Sequence, residues 1–435
     1  MPRLPPTLPL LNSTTLSLPN STWLYRLVPL RSPSAGASAV AALASDDSIR
    51  LFDPEGLALL PDGVRSGAHE GVTCLVGDDE SGGGGRAQGL LWSAGRDGVV
   101  RGWDWRGSAG RGLGEVGRCE SPKKGALSAL LYSPASNLVA AGMELEGNAP
   151  GDAPIFLWDT RKLSTPVRTY ADSHNDTITE LALHPTHRTT LLTASTDGLL
   201  NLLDTTIPDS DEDDALLQVV NHGSALHHAG FLPSSLAPSP ASAGLPATAA
   251  FAADLYALGT DETLSFHRAQ HPDEAAEPPA PRRLGDVREA LACEYVIKLI
   301  TAGRLGGGSG PGSVVVGSHS QQYVDVIPLR APPAQAGSLD WGLGVEGKVR
   351  LEGAHGEEVV RDVLVDESSG VIFTCGEDGY VRTWGGYQAG PDDDGDVEME
   401  MAGDREDGKK KQKKHDRKHK HKHKKEKPEV RYHPY

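Results

Sequence analysis

The side chains of this chain that are best suited to chemistry form three similar sets, each with a histidine, a hydroxyl and an aspartate. The sets are His69 with Ser93 and Asp97, His174 with Thr193 and Asp197, and His355 with Thr374 and Asp378. These are the residue types of a hydrolase triad, in which histidine takes a proton from the hydroxyl and aspartate orients the histidine. An enzyme needs one such site, whereas this chain repeats the set. The repetition favours a structural function, in which each set forms a buried chain of hydrogen bonds.

The local sequence around each hydroxyl and aspartate predicts a β-hairpin. Three segments contain an apolar stretch, an Asp-Gly pair and a second apolar stretch, and they are residues 91–104, 191–204 and 372–384. Glycine supplies the positive φ that a tight hairpin turn requires. The second strand ends at Trp103 in the first copy and at Trp384 in the third, but at Leu203 in the second. We therefore expect the hydrogen-bonded chain of the second copy to stop at its hydroxyl.

One histidine, one hydroxyl, one turn aspartate and one tryptophan per repeat of ~40 to 60 residues resembles the WD-repeat family of β-propellers. Two repeats carry all four residues, namely His69, Ser93, Asp97 and Trp103, and His355, Thr374, Asp378 and Trp384. Weaker repeats bring the total to seven, and they lie at residues 45–53, 140–159, 255–267 and 314–326. The resemblance implies an all-β fold, a seven-bladed WD-repeat β-propeller that is not an enzyme and uses no cofactor.

Part of the chain also resembles a narrower group within this family, that of WD repeat-containing protein 89. The resemblance covers residues 23–384 and is strongest over residues 172–216. It includes the insertion around Glu144, which opens the hairpin of the third repeat, and the Asp286-Val287-Arg288 element. These features predict the fold far better than they predict a function.

The repeats leave room for two terminal segments. We expect the propeller to span residues 21–388, after an N-terminal extension of residues 1–20 and before a disordered tail of residues 389–435. The last repeat ends at Trp384 without a segment for an outer strand, and an exposed sheet edge is a liability. Residues 14–18 are rich in apolar and β-branched side chains. We expect them to supply the missing strand and to close the ring.

Composition excludes several other classes of protein. The 4 cysteines of the chain lie far apart without paired spacing, which argues against a disulfide framework or a structural zinc site. No apolar run approaches the ~20 residues of a membrane helix, and residues 1–6 are too rich in proline for a secretory signal. We expect a protein with no bound metal and no membrane association. Its partners would be other proteins that bind the faces of the propeller.

The C-terminal tail is the second informative region. It is acidic over residues 390–407 and then strongly basic. From residue 409 to the end there are 13 Lys and Arg against 3 Asp and Glu, so this segment carries +10. Since the whole chain carries −17, the first 408 residues carry −27. Such a dense block of like charge resists collapse, and we expect an acidic propeller with a disordered basic arm.

Three interpretations of the basic arm are open. The first is an import signal for the nucleus or nucleolus that also contacts RNA phosphates, because lysine serves non-specific Coulombic contacts well. Its residues would be Lys409, Lys410, Lys411, Lys413, Lys414, Arg417, Lys418, Lys420, Lys422, Lys424 and Lys425. The second is a solvating tail that folds back on the acidic propeller. The third is a transition metal bound by the alternating histidines of residues 419–423, which the neighbouring ammonium groups disfavour.

A further pattern bears on partners. Two repeats end in Trp-Asp-X-Arg, and the residues concerned are Trp158, Asp159 and Arg161, and Trp103, Asp104 and Arg106. This ending resembles that of WD-repeat substrate receptors that dock on the adaptors of cullin-RING ubiquitin ligases. Trp-Asp closes many repeats, however, and an arginine two residues later is a frequent coincidence.

We therefore predict a non-enzymatic interaction scaffold whose basic tail directs it to the nucleus or nucleolus, with the cytoplasm as an alternative location. Its predicted function is in ribosome assembly, with RNA or ribonucleoprotein bound by the tail. The alternative is a substrate receptor of a cullin-RING ubiquitin ligase, with the ligase adaptor as its partner.

Overall fold

The computed structural model describes most of the chain between residues 5 and 385. The described residues are 5–31, 38–78, 89–106, 113–145, 147, 151–208, 212–232, 251, 253–271, 273, 277–301, 311–333, 338–366 and 369–385. The acidic and basic tail predicted from the sequence lies outside these residues, and so do all of its named lysines and Arg417.

The described residues form seven antiparallel sheets, and each sheet is one blade of a propeller. Blade 1 contains β2 (Leu24–Arg31), β3 (Ser38–Ala44), β4 (Ile49–Phe52) and β5 (Leu59–Arg65). Blade 2 contains β6 (Val72–Val76), β7 (Leu90–Gly95), β8 (Val99–Asp104) and β9 (Gly114–Glu120). Blade 3 contains β10 (Leu127–Ser133), β11 (Leu138–Met143), β12 (Ile155–Asp159) and β13 (Arg168–Tyr170). Blade 4 contains β14 (Ile178–Leu183), β15 (Thr190–Ser195), β16 (Leu199–Asp204) and β17 (Leu216–Asn221).

The last three blades complete the ring. Blade 5 contains β18 (Leu226–Leu232), β19 (Ala253–Gly259), β20 (Thr263–Ala269) and β21 (Arg282–Asp286). Blade 6 contains β22 (Tyr295–Ile300), β23 (Ser313–Ser318), β24 (Tyr323–Arg330), and a divided outer strand, β25 (Gly342–Leu343) and β26 (Val349–Glu352). Blade 7 contains β27 (Val360–Val365), β28 (Ile372–Gly376), β29 (Val381–Trp384) and, from the N-terminus, β1 (Leu10–Thr14). Helical segments are short, at Glu212–Ala215, Arg288–Leu291 and Val345–Gly347. The predicted all-β, seven-bladed propeller is thus confirmed.

Apolar side chains fill the space between neighbouring blades. Seven buried clusters are found, and that between blades 2 and 3 contains Trp92, Tyr132, Phe156 and Trp158. The second and third strands are buried on both faces, which is why segments such as β15 are apolar almost throughout. This packing fixes each sheet against the next and positions the loops at both ends of the ring.

An N-terminal strand closes the ring, as expected, but the residues predicted for it are wrong. Strand β1 pairs antiparallel with β29, so that Leu10 lies opposite Trp384. Of the segment expected in this place, residues 14–18, only Thr14 belongs to β1, and the rest contains a turn in which Leu16 and Ser17 have φ of 51° and 57°. Leu16 is 1% exposed and packs between blades 7 and 1. The apolar side chain of Leu16 therefore belongs to the core between these two blades and not to the closing strand.

The N-terminal segment also joins blade 6. Thr7 forms a parallel bridge with Arg350 of β26. The Leu8 backbone N–H donates to the Arg350 carbonyl at 2.9 Å, and the Arg350 N–H donates to the Pro6 carbonyl at 2.9 Å. Leu8 is buried in the cluster shared by blades 6 and 7. The two ends of the propeller chain are thus held together by hydrogen bonds across two blades.

Every first strand has a β-bulge at the same place. The register between the first and second strands shifts near the start of the first strand in all seven blades, after its first residue in six blades and after its second residue, Val296, in blade 6. A bulge re-aims the side chains beside it. The residue that directly follows the shift consequently occupies one equivalent position around the ring.

None of the helices among the described residues has the length and apolar character needed to cross a membrane.

Candidate functional site

In blade 2 the four predicted residues meet in one chain of hydrogen bonds. The indole N–H of Trp103 donates to Ser93 Oγ at 2.8 Å, and Ser93 Oγ lies 2.7 Å from His69 Nε2. His69 Nδ1 lies 3.0 Å from Asp97 Oδ1. Burial alone would raise the pKa of Asp97, but hydrogen bonds, chiefly that from His69, lower it. The chain ties the loop before β6 to the turn between β7 and β8.

Blade 7 repeats this arrangement. The Trp384 indole N–H donates to Thr374 Oγ1 at 3.0 Å, and Thr374 Oγ1 lies 2.8 Å from His355 Nε2. His355 Nδ1 lies 2.7 Å from Asp378 Oδ1. Burial lowers the pKa of His355, against the opposing effect of Asp378, so the ring is neutral at physiological pH. A neutral ring with Nδ1–H can donate to the aspartate and accept from the threonine hydroxyl.

In blade 4 the chain of hydrogen bonds is shorter. His174 Nε2 lies 2.7 Å from Thr193 Oγ1, and His174 Nδ1 lies 2.9 Å from Asp197 Oδ2. Leu203, at the tryptophan position, is 0% exposed and has no donor to offer. Asn201 adds a contact of its own, because its Nδ2 donates to the Ser173 carbonyl at 2.6 Å.

The contacts in these sets follow the order of a Ser-His-Asp triad, but their setting is not catalytic. Ser93, Thr193 and Thr374 are each 0% exposed, so a substrate carbonyl has no access to the hydroxyl oxygen. In blades 2 and 7 a tryptophan N–H also occupies that oxygen. The geometry favours the structural interpretation of all three sets.

Blade 5 contains a related network that sequence reasoning missed. His222, between β17 and β18, contacts Ser265 Oγ through Nδ1 at 2.7 Å and Thr263 Oγ1 through Nε2 at 2.9 Å. Ser265 Oγ also lies 2.8 Å from His267 Nε2. Burial lowers the pKa of His267 to about 4, so this ring is neutral.

Two features of the sequence hid this network. The hydroxyls of blade 5 belong to the third strand, since Ala257 of the second strand stands where blade 2 has Ser93. In addition, the long segment between β18 and β19 lengthens the spacing from His222 to the turn. A loop histidine shortly before the first strand, as in blades 2, 4 and 7, is the signal that could have found it.

Blades 1 and 3 lack the central hydroxyl. Ala42 and Ala141 occupy the position of Ser93 in these blades. In blade 1 the tryptophan is replaced by Phe52, which needs no acceptor. In blade 3 the tryptophan is present, and the buried Nε1 of Trp158 has no hydrogen-bond partner among the described residues.

Blades 1 and 5 have acidic residues where blades 2, 4 and 7 have the turn glycine. Asp47 and Glu262 occupy the position of Gly98 and have φ of 60° and 65°. The Asp47 carboxylate accepts from the Val72 backbone N–H at 2.8 Å, and the Glu262 carboxylate accepts from the Val296 backbone N–H at 2.8 Å. Both contacts reach the first strand of the next blade. Burial raises the pKa of Glu262 to about 7.

The residues that directly follow the register shift in the first strands form a ring of mostly ionisable side chains, here called the axial belt. They are Arg26, Cys74, Ala129, Glu180, His228, Lys298 and Asp362. Between blades 4 and 5, His228 Nδ1 lies 2.6 Å from Glu180 Oε2. The axial belt therefore links neighbouring blades by charged side-chain contacts, in addition to the apolar packing between them.

Asp362 is the centre of the belt at the chain ends. Its side chain is 2% exposed and lies 2.5 Å from Lys298 Nζ of blade 6. It also accepts from the Leu27 backbone N–H of blade 1 at 2.7 Å, and Arg26 Nε lies 3.9 Å away. Burial alone would raise the pKa of Asp362, but Lys298 and then Arg26 lower it. One carboxylate thus joins blades 6, 7 and 1.

The two Trp-Asp-X-Arg endings place each arginine on its own aspartate. Arg161 Nε lies 2.8 Å from Asp159 Oδ1, and Arg106 Nε lies 3.0 Å from Asp104 Oδ1. Trp158 and Trp103 are core residues, each 0% exposed. The same pairing occurs between Arg288 and Asp286 at 3.0 Å, without a preceding tryptophan, so local chemistry accounts for it. The Arg161 side chain is nevertheless 73% exposed.

No group of three or more His, Cys, Asp or Glu within the described ranges is arranged to hold a metal ion. The free cysteines are Cys74, Cys119, Cys293 and Cys375.

Comparisons with known proteins agree with this architecture. The family model for the WD domain, G-beta repeat, matches residues 164–204, which include most of blade 4. An uncharacterized WD repeat-containing protein of Saccharomyces cerevisiae is 32% identical over 248 residues, covering 57% of this chain and 53% of that protein. Another of Schizosaccharomyces pombe is 27% identical over 328 residues, covering 73% of this chain and 83% of that protein.

A third relative is WD repeat-containing protein GTS1 of Arabidopsis thaliana. It is 28% identical over 213 residues, covering 49% of this chain and 48% of that protein. The chain thus spans about half the length of the budding-yeast and plant relatives. The matches and the seven-bladed ring together support the WD-repeat family, whose propeller fold is typical of protein-interaction scaffolds.

Proposed function

We propose that this protein is a non-enzymatic interaction scaffold that acts in the nucleus or nucleolus during ribosome assembly. The observation that carries the scaffold function is the burial of the only triad-like hydroxyls among the described residues, each at 0% exposure. A closed ring of this kind offers partners two faces and a rim. The narrower resemblance to the group of WD repeat-containing protein 89 covers residues 23–384, is strongest over residues 172–216 and belongs to the same proposal.

The nuclear part of the proposal rests on charge. The first 408 residues carry −27 and the last 27 carry +10. A negative propeller repels RNA phosphates, whereas a dense lysine run attracts them and also serves import receptors. RNA binding and nuclear import would therefore depend on the same segment.

Truncation after Gly390 tests this part. The full chain should bind single-stranded RNA with an affinity that falls steeply with salt, with a log-log slope of roughly −0.7 per phosphate neutralised. The truncated chain should lose both RNA binding and nuclear enrichment. Nuclear enrichment that persists without residues 391–435 would contradict the proposal. Affinity purification with both forms, followed by identification of proteins and RNA, would show whether ribosome-assembly factors are recovered.

A second candidate function is that of a substrate receptor for a cullin-RING ligase, favoured by the exposure of the Arg161 side chain, 73%. Arg161→Glu should then abolish co-purification of the ligase adaptor while the thermal unfolding midpoint stays unchanged. Arg288→Glu is the matched control, because it breaks the same Asp-X-Arg pairing on a different element. Failure to recover any adaptor with the parent chain would contradict this candidate.

A further inference from the structure

The outer strands of the blades differ in how they are protected against pairing with another chain. An outer strand presents unpaired backbone groups, and charged residues, proline or short length normally prevent edge-to-edge association. β5 contains Pro61 and a bulge, β13 has three residues, and β26 is covered by residues 6–8. β9 and β21 contain Glu and Arg, or Arg and Asp.

Strand β17 shares only one of these features, a register shift opposite Leu202 and Leu203 of β16. Its sequence is Leu-Leu-Gln-Val-Val-Asn, without charge or proline. Leu217 and Val220 face the core shared with blade 5, whereas Leu216 is 38% exposed and Val219 is 49% exposed. The strand therefore presents an apolar outer edge to solvent. β1 and the two-residue β25 are the other uncharged outer strands within the described ranges.

An acidic segment distinguishes β17 from β1. Five of the six residues 209–214 are Asp or Glu, directly before Leu216. Asp213 and Asp214 are exposed. These charges attract a basic segment.

From this combination we infer that the outer edge of β17 binds an extended, lysine- or arginine-containing segment of a partner protein, which adds to blade 4 as a fifth strand. The inference rests on the proposed scaffold function and assigns a surface to it. Backbone hydrogen bonds would supply affinity, contacts with Leu216 and Val219 would select apolar side chains, and Asp213 and Asp214 would select the charge.

Geometry also fixes the direction of the partner. Antiparallel pairing is slightly more stable per residue than parallel pairing, so the bound segment runs opposite to β17. Its C-terminal end then lies beside Leu216 and the acidic residues. Basic side chains at the C-terminal end of the segment should bind better than the same side chains at its N-terminal end.

The test uses the full chain and a synthetic peptide of about ten residues in which valine and threonine alternate before a C-terminal pair of lysines. Binding is measured by fluorescence anisotropy. Val219→Lys, which places a charge on the edge, should weaken binding by about tenfold or more, a change of about 1.4 kcal/mol. Val116→Lys is the matched control, because Val116 is 56% exposed on the already charged β9, and it should leave binding unchanged.

Further arms separate edge pairing from simple charge attraction. Replacing the lysines of the peptide by glutamates, or moving them to the N-terminus, should weaken binding, and Asp213→Asn with Asp214→Asn should remove its salt dependence. Hydrogen exchange should show slower exchange in β17 when the peptide is bound, a readout that does not depend on the variants folding.

Equal loss in both lysine variants, or unchanged exchange in β17, would overturn the inference. The scaffold function would then still stand or fall on the purification experiment described above.

Discussion

Blades 2 and 3 are neighbours whose third strands both end in Trp-Asp, but the hydrogen bonding of the buried tryptophan differs between them. Trp103 and Trp158 are each 0% exposed. The indole N–H of Trp103 donates to Ser93, which continues to His69, whereas Ala141 stands in place of the serine in blade 3 and Trp158 Nε1 has no partner within the described part of the chain. Each of the two blades nevertheless forms a four-stranded sheet with its strands in the same order.

Magnitudes explain why blade 3 tolerates the loss. Burial of an indole of 150 to 250 Å² contributes about 4 to 6 kcal/mol, whereas a typical buried hydrogen bond adds only about 1 kcal/mol net. The tryptophan is thus held chiefly by its apolar surface. The chain of hydrogen bonds adds stability and fixes the loop and turn, but the sheet forms without it.

The largest loss of stability is expected where a network of polar contacts joins several blades and does not lie within a single blade. Asp362→Ala removes the partner of Lys298 and leaves that cation and the Leu27 N–H uncompensated. Loss of one member of a buried ion pair costs about 3 to 5 kcal/mol. A clear fall in the thermal unfolding midpoint is the expected result. Addition of Lys298→Met should restore part of the loss, and an unchanged midpoint in the single variant would contradict the assignment of Asp362 to ring closure.

The second-largest effect is expected when blade 2 loses its hydroxyl, so that its tryptophan lacks an acceptor as in blade 3. Ser93→Ala leaves His69 Nε2 and Trp103 Nε1 unpaired in the core, which should cost about 1 to 3 kcal/mol. Urea unfolding followed by tryptophan fluorescence measures it. Ser133→Ala is the matched control, since the buried Ser133 Oγ has no partner among the described residues and its removal should be neutral. Equal loss in both variants would show that burial of the side chain, and not its hydrogen bonds, determines the cost.

The third effect is expected when blade 3 gains the hydroxyl that blade 2 has. Ala141→Ser places a hydroxyl where Ser93 stands in blade 2, so it should accept from Trp158 Nε1 and stabilise the protein by up to about 1 kcal/mol. The gain should vanish in a Trp158→Phe background, because no donor remains. A destabilised Ala141→Ser variant would mean that the packed interior cannot accept the added atom.

The difference between these blades also explains which of their features could be predicted from the sequence. The complete sets of blades 2 and 7 are readable because Asp-Gly turns and tryptophans recur at fixed spacing. The network of His222 was missed because its hydroxyls lie on a different strand. The closing strand was placed at residues 14–18 instead of Leu10–Thr14, because Leu16 is as apolar as a strand residue but packs beneath the turn. Tertiary contacts such as that of Asp362 with Lys298 have no local signature in the sequence.

The smallest effect concerns the turn position that differs between blades 2 and 5. Glu262 stands where blade 2 has Gly98, and its pKa of about 7 lies above the ordinary value of 4.5 because burial disfavours the carboxylate. The folded protein therefore holds this proton more tightly than the unfolded chain does, and stability declines as the pH rises from about 4.5 to about 7. Glu262→Gln keeps an acceptor for the Val296 N–H but carries no charge. The variant should match the parent near pH 4.5 and exceed it in stability at pH 8, as measured by urea unfolding across this range. Since the two proteins share every other titrating group, the difference between their curves isolates Glu262. A difference that does not vary with pH would show that the carboxyl titrates as it does in the unfolded chain.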